Sequence, residues 1–217
     1  MKINKLMALI FFLISPVLIN AGEITPQKYI IVVAMKSEIA ASGIDKYAPV
    51  IYTGLGKVNA AIKLYEAILD YKPELVINYG TAGAVKKGVS GLFHVETFVQ
   101  RDMDVRALGF KRGVTPFSNR KLPKIKGIVL GTGDSFVTNT KKQLEGLTVR
   151  IDLVDMEGYA LKEVADHMKI QFKCYKNVSD SADSKAKDDW EKNIIKGAKL
   201  FKKVLNEKYG VSKLKWN

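Results

Sequence analysis

The chain has 217 residues, of which 47% are hydrophobic and 26% are charged. This length and balance fit one globular domain with a sizeable core. With one cysteine and two histidines in the whole sequence, an intramolecular disulfide is excluded and a conventional zinc site is not expected.

The formal net charge is +13, and nearly all of the excess comes from lysine. The densest lysine cluster, residues 196–208, alternates with an apolar stripe that includes Phe201 and Leu205, which is typical of an amphipathic helix packed on a core. Nucleic-acid binding needs basic residues clustered with stacking aromatic side chains, so nucleic acid is not an expected partner. A basic module that binds anionic surfaces stays open as an alternative.

Residues 1–21 have the layout of a secretory signal peptide. Lys2 and Lys5 precede an apolar run over residues 6–19, and the small residues Ala21 and Gly22 follow. The run is short for a membrane span. We therefore expect a cleaved signal, one domain over residues 22–217, a periplasmic or secreted protein, and no stable membrane insertion after cleavage. An uncleaved anchor is the alternative.

Strand and helix patterns alternate along the rest of the chain. Strands are predicted over residues 28–34, 50–52, 75–79, 93–99, 125–130, 149–154 and 172–178. Helices are predicted over 57–69, after Asp155, and over 190–208, with a glycine loop at 80–83. In the first helix the inward residues are expected to be Val58, Ala61, Ile62, Tyr65 and Leu69. This alternation predicts an α/β fold, a three-layer αβα sandwich with a mixed, mostly parallel central sheet.

Polar or glycine-rich motifs follow most of the predicted strands. They are residues 37–38, 80–81, 131–134, 155–157 and 179–180. Because strand ends of a parallel sheet share one edge, these motifs are expected to converge on one pocket. The sequence has no phosphate-binding P-loop, dinucleotide fingerprint or nucleophile elbow. Carboxylates without metal ligands suit acid and base work on a glycosidic bond.

Six stretches in order carry a resemblance to the purine nucleosidase and nucleoside phosphorylase superfamily, most of all to its 5′-methylthioadenosine/S-adenosylhomocysteine nucleosidases. They are residues 34–38, 54–61, 77–83, 132–136, 154–157 and 178–183. The resemblance implies a nucleoside phosphorylase-like fold, a small purine nucleoside as substrate, and neither cofactor nor metal. It also implies a homodimer in which the partner closes the pocket for the 5′ group, with residues 105–117 as the expected donor loop.

The resemblance implies a catalytic pair. Glu38 matches the carboxylate that positions and activates the attacking water. Asp180 matches the acid that protonates purine N7, and Ser179 matches the residue that orients it. To hold a proton near neutrality, Asp180 needs a closed, poorly solvated pocket.

Four further residues match substrate contacts of the family. Glu157 corresponds to the carboxylate that holds the ribose hydroxyls, and Met156 to a residue beside the sugar. Phe136 corresponds to the aromatic side chain that stacks on the base, and Thr81 to a hydroxyl residue near the ribose and the water. Asp155 departs from the family, which commonly carries glutamate there.

Whether the acceptor is water or phosphate depends on phosphate ligands. The phosphorylases that the chain resembles place an arginine in the strand before the glycine loop, where this chain has Asn78 and Tyr79. Lysine lacks the bidentate fork of arginine, so water is the favoured acceptor. An aspartate at position 180 favours a 6-aminopurine, by the same resemblance. A phosphate-dependent phosphorylase and an inactive nucleoside-binding protein stay open as alternatives.

Overall fold

A computed structural model describes residues 29–40, 42–117, 124–194 and 196–210. The predicted signal peptide, residues 1–21, lies outside these ranges and stays a prediction. Within them, no helix combines the length and the apolar character that a membrane crossing needs.

The strands of the described chain form one mixed sheet. They are β1 Tyr29–Val33, β2 Val50–Tyr52, β3 Leu75–Ala84, β4 Gly91–Gln100, β5 Ile128–Thr132, β6 Leu153–Asp155 and β7 Gln171–Asp180. The pairings β3–β6 and β4–β7 are antiparallel, whereas β1–β2, β1–β3, β3–β7, β4–β5 and β5–β6 are parallel. The predicted mixed, mostly parallel sheet is therefore confirmed.

The sheet closes on itself at one side. Strand β3 pairs with β6 as well as β7, so the series β3, β6, β5, β4, β7 returns to β3 as a ring. Strands β1 and β2 extend outward from β3 as an open part of the sheet. The predicted glycine loop at 80–83 is wrong, because β3 continues through these residues to Ala84 with β7 as its parallel partner.

Helices cover both faces of the sheet, as predicted. They are α1 Lys57–Tyr71, α2 Thr140–Gln143, α3 Gly158–His167, α4 Ala186–Asn193 and α5 Gly197–Tyr209, with short 3-10 helices at Lys36–Glu38, Ile44–Lys46 and Arg106–Leu108. On one face, Leu64 of α1 and Leu161 of α3 pack against Ile30 of β1. On the other face, Phe201 of α5 stacks on Tyr79 of β3 with ring centroids 4.4 Å apart.

The inward face of α1 is not the predicted one. The buried residues are Ala60, Leu64, Ala67 and Ile68. The side that was expected inside, Val58, Ile62, Tyr65 and Leu69, is 44 to 68% exposed. Both sets recur at helical spacing, so periodicity alone cannot choose between them. We call the exposed set the α1 stripe.

The predicted closing helix over 190–208 is divided into α4 and α5. The second helix begins at Gly197, where it lies against the sheet so closely that a Cβ atom would collide with the side chains of Asn177 and Tyr79. Glycine is therefore required by the close approach of α5 to β3 and β7.

We expect Gly197→Ala to lower the free energy of unfolding by about 1–3 kcal/mol, the usual cost of overpacking a filled core. Urea unfolding of the purified protein measures this change. The control is Lys199→Ala, on the exposed side of the same helix, which should change stability by less than about 0.5 kcal/mol. Equal stability of the two variants would contradict a close contact at Gly197.

Candidate active site

A cavity of about 450 Å³ lies where β1, β3, β5, β6 and β7 end. Its lining includes all seven predicted site residues, which are Glu38, Thr81, Phe136, Met156, Glu157, Ser179 and Asp180. Four of the five predicted motifs contribute to the lining, whereas the motif at 131–134 does not and is represented by the next residues, Ser135 and Phe136. The motif after β6 reaches the cavity although β6 is antiparallel to β3, because the two strands overlap only near the end of β3, at Gly83 and Ala84. Within the described ranges, no three His, Cys, Asp or Glu side chains are grouped as a possible metal site.

Glu38 is buried and its carboxylate is held by three donors. Oε1 accepts hydrogen bonds from the Thr81 backbone N at 2.7 Å and from Thr81 Oγ1 at 2.9 Å. Oε2 accepts one from the Met35 backbone N at 3.2 Å. A Cβ atom at Gly80 would lie 3.3 Å from Oε1 and 3.0 Å from Lys176 Nζ, so a glycine in β3 makes room for both charged groups.

Glu157 stands at the start of α3, with its side chain buried against the turn before α1. Its Oε1 accepts a hydrogen bond from the Gly56 backbone N at 2.9 Å. Burial, and then the charge of Asp155, raise the pKa of Glu157 to about 7, while Lys176 acts in the opposite direction. This carboxyl can therefore gain or lose a proton near neutral pH.

A buried ion pair lies beneath Glu157. Lys176 Nζ is 2.9 Å from Asp155 Oδ2, and both side chains are at most 2% exposed. Asp155 also accepts hydrogen bonds from Thr132 Oγ1 at 2.5 Å and from the Gly158 backbone N at 2.8 Å. Burial opposes the charge on Lys176, but the surrounding carboxylates, with Asp155 first, raise its pKa above the ordinary value. Lys176 was not among the predicted site residues, and its one signal in the sequence is a lysine inside a buried strand.

Asp180 ends β7 and is held on both oxygens. Ser179 Oγ donates to Oδ2 at 2.8 Å and the Ala182 backbone N donates to Oδ1 at 2.8 Å. Burial raises the pKa of Asp180, and these two hydrogen bonds lower it only in part. A Cβ atom at Gly83 would lie 2.7 Å from Oδ1, so the neighbouring strand must carry glycine for the carboxyl to fit.

The loop that carries Phe136 is fixed by Arg101, another residue that the sequence analysis missed. The guanidinium is buried and donates to the Gly133 carbonyl at 3.0 Å, to Ser135 Oγ at 3.2 Å and to the Ser135 carbonyl. Phe136 is half exposed at the cavity wall and meets Trp190 of α4 edge-on, with centroids 6.5 Å apart. Two aromatic rings therefore line this side of the cavity.

Comparison with known proteins identifies the family. The sequence profile described as phosphorylase superfamily matches residues 45–126 and 109–207. The chain belongs to the phosphorylase superfamily. The matched ranges span β2 to α5 and include all the predicted site residues except Glu38.

Relatives in this superfamily include two nucleosidases. The 5′-methylthioadenosine/S-adenosylhomocysteine nucleosidase of an Exiguobacterium strain is 32% identical over 161 residues, which cover 63% of this chain and 69% of the relative. The enzyme of the same name from Buchnera aphidicola is 30% identical over 183 residues, covering 72% of this chain and 78% of the relative.

Solved structures have the same fold. The Helicobacter pylori 5′-methylthioadenosine/S-adenosylhomocysteine nucleosidase superimposes with a TM-score of 0.73 at 23% identity, covering 87% of this chain and 99% of that one. The native futalosine hydrolase of Helicobacter pylori gives a TM-score of 0.72 at 22% identity, covering 83% and 96%. The predicted nucleoside phosphorylase-like fold is confirmed.

The raised pKa of Glu157 predicts a pH-dependent gain in stability for Glu157→Gln. The folded state binds the Glu157 proton more tightly than the unfolded state, so the cost of ionising this group is absent below its ordinary pKa of 4.5 and complete above about 7. The variant keeps an oxygen for the Gly56 N–H and cannot ionise. We expect it to be more stable than the unmodified protein at pH 8, with the difference largely gone by pH 5.

Urea unfolding between pH 5 and pH 8 measures this difference. Glu74→Gln, at an exposed position, controls for the loss of one carboxylate and should give no comparable gain. A Glu157→Gln variant that is less stable than the unmodified protein at pH 8 would refute the electrostatic cost assigned to Glu157.

Proposed function

We propose that the protein hydrolyses the N-glycosidic bond of adenosine-type purine nucleosides and releases adenine. The observation that carries the proposal is one cavity lined by four buried carboxyls, Glu38, Asp155, Glu157 and Asp180. Of these, Glu38 and Asp180 are held by different sets of hydrogen-bond donors. The names of the relatives add support, since they specify 5′-methylthioadenosine and S-adenosylhomocysteine. We propose substrates of that class, without a choice of 5′ group.

In the proposed reaction Asp180 is the general acid. Cleavage of a purine N-glycosidic bond leaves electrons on the base, and a proton delivered to N7 neutralises them. Burial raises the pKa of Asp180, which favours its protonated form, and Ser179 together with the Ala182 N–H fixes the carboxyl in one orientation. A well-placed general acid contributes about 10²- to 10⁴-fold.

Glu38 is the proposed base that takes a proton from water. The sugar becomes cationic as the purine departs. Water must then attack the anomeric carbon from the face opposite to the departing purine. Thr81 holds Glu38 through two hydrogen bonds, which restrains the carboxylate beside the cavity. Glu157, whose Oε1 faces the Gly56 N–H, is the proposed acceptor for ribose hydroxyls.

The charges around the glycines of β3 favour water over phosphate as the acceptor. Lys176 is the cation nearest to Gly80, but it is paired with Asp155. The negative charges of Glu38 and Glu157 also act on it. Both terminal nitrogens of Arg101 already donate hydrogen bonds to Gly133 and Ser135. A phosphate dianion at Gly80 would therefore lie against the Glu38 carboxylate, and the cation nearest to it, Lys176, is already paired with Asp155.

The proposal predicts adenine release without phosphate. Purified protein is incubated with adenosine, 5′-methylthioadenosine and inosine, with and without phosphate, and the free base is measured. Asp180→Asn should lower the rate about 10²- to 10⁴-fold, the range for a lost general acid. Asp188→Asn, an exposed aspartate on α4, is the matched control and should keep the rate.

Each other outcome points to a rival. Strict dependence on phosphate would identify a phosphorylase. Nucleoside binding without release of base under either condition would identify a binding protein. Unchanged release by Asp180→Asn would remove Asp180 from the chemistry while leaving the hydrolase itself in place.

We also propose that the protein is a homodimer that buries the α1 stripe. Four apolar side chains share one exposed helix face, and Leu55, two residues before α1, is half exposed and lines the cavity. In the expected donor loop 105–117, Leu108 is 72% and Phe117 97% exposed. Large apolar side chains grouped at a surface are typical of protein interfaces.

The dimer proposal predicts that Ile62→Lys dissociates the protein, because an ammonium in an apolar interface loses its hydration without a partner. Light scattering coupled to size exclusion should give about twice the chain mass for the unmodified protein and the single mass for the variant. Asp70→Lys places the same side chain on an exposed flank of α1 and should remain dimeric. A monomeric unmodified protein at micromolar concentration would contradict the proposal.

A further inference from the structure

We infer that Trp190 is a positioning residue for Glu38: its indole N–H fixes the direction of the Thr81 hydroxyl and thereby leaves Oε2 of Glu38 as the basic oxygen. The part of this inference that concerns catalysis rests on the proposed function. The hydrogen-bonded chain itself consists of three side chains that line the cavity, Trp190, Thr81 and Glu38.

The hydrogen bonds run in one direction. Trp190 Nε1 lies 3.1 Å from Thr81 Oγ1, and Thr81 Oγ1 lies 2.9 Å from Glu38 Oε1. An indole nitrogen can donate but cannot accept, so the threonine oxygen accepts from Trp190. The one hydroxyl proton of Thr81 is then free to point only to another acceptor, which is Glu38 Oε1.

This arrangement makes the two oxygens of Glu38 unequal. Oε1 receives two strong donors, the Thr81 N–H and the Thr81 hydroxyl, at 2.7 and 2.9 Å. Oε2 receives the Met35 N–H at 3.2 Å, the longest of the three bonds. Because a carboxylate oxygen has about two lone-pair sites, Oε1 is filled and Oε2 keeps one site for the proton of water.

Trp190 is held in place by the strand that carries Asp180. Asn193, three residues further along α4, donates from Nδ2 to the Ser179 carbonyl at 2.8 Å. The same helix therefore touches the residue before the proposed acid and, through Trp190 and Thr81, the proposed base. Without the indole N–H, the Thr81 hydroxyl could turn to other acceptors in the cavity, and the inequality of the Glu38 oxygens would weaken.

The kinetic test is Trp190→Phe, which keeps an aromatic ring and removes the N–H. We expect kcat for adenine release to fall about 2- to 10-fold, the range of a single hydrogen bond, with KM changed by less than about 2-fold. In a Thr81→Val background the same replacement should have no further effect on kcat, since the residue through which it acts is gone. If Trp190→Phe lowers kcat in the Thr81→Val background by the same factor as in the unmodified protein, the inference is overturned.

A spectroscopic test needs no turnover. The sequence contains two tryptophans, Trp190 and Trp216, so a Trp216→Phe protein labelled with ¹⁵N-tryptophan has a single indole N–H resonance. We expect this resonance to move in Thr81→Val and, by a smaller amount, in Glu38→Gln, because bonds in a chain polarise one another. Thr81→Ser keeps the hydroxyl and should keep the resonance close to its original position.

The two tests separate the inference from the proposed function. The inference is overturned if the chemical shift of the indole N–H does not change in Thr81→Val. It is also overturned if that shift changes in Thr81→Val but not in Glu38→Gln. Both outcomes hold whatever the protein hydrolyses. An unmodified protein that releases no base overturns the proposed function, and the resonance then decides the inference alone. These variants retain Trp190, so a failure of Trp190→Phe to fold does not remove the test.

Discussion

The site depends on the buried ion pair between Lys176 and Asp155. Four acidic side chains, Glu38, Asp155, Glu157 and Asp180, are buried around one cavity, and a carboxylate that leaves water is costly unless it is paired. Lys176 supplies the compensating charge from β7. Asp155 uses its remaining lone pairs on the Thr132 hydroxyl and the Gly158 N–H, so the same carboxylate joins β5, β6 and the start of α3. A break in this pair would leave an uncompensated charge in the core as well as a disturbed site.

The positive charge of Lys176 does not act equally on all the buried carboxyls, and this inequality suits a catalytic site. Lys176 lies directly against Asp155, whereas burial raises the pKa of Glu157 and that of Asp180. The acids of this cavity therefore lie in different electrostatic environments, which is what acid and base work in a single cavity requires. The strands make this possible by carrying glycine at Gly80 and Gly83, where any side chain would displace a carboxyl or the ammonium.

Much of the fold was predictable because the signals were local. Continuous apolar runs marked strands such as β1, and glycine or polar residues marked their ends. The predicted inward face of α1 was wrong because the helix is apolar on two sides, and its packing against β1, β3 and α3 decides which side is covered. The glycine loop was wrong because the strand that extends through Gly80 to Gly83 is stabilised by a partner about 100 residues away, β7.

The site residues that could be predicted from the sequence were likewise those with a local signal. The seven predicted residues lie in motifs that can be recognised one stretch at a time. Lys176, Arg101 and Trp190 do not, since a lysine within a strand, an arginine after one and a tryptophan in a helix gain meaning only from what they touch. Each of the three acts on a residue from a distant stretch: Lys176 on Asp155, Arg101 on the loop before Phe136, and Trp190 on Thr81.

The closure of the sheet also depends on the strand that comes last in the sequence. Strands β3 and β4 are neighbours in sequence, yet β7, made last, lies between them and completes the ring. Without β7, β3 and β4 would each have an unpaired edge, and contacts of such long sequence separation are slow to form. Lys176 and Asp180 are carried by that same strand. A chain shortened before β7 would therefore lack Lys176 and the proposed acid Asp180 along with the closing strand of its sheet.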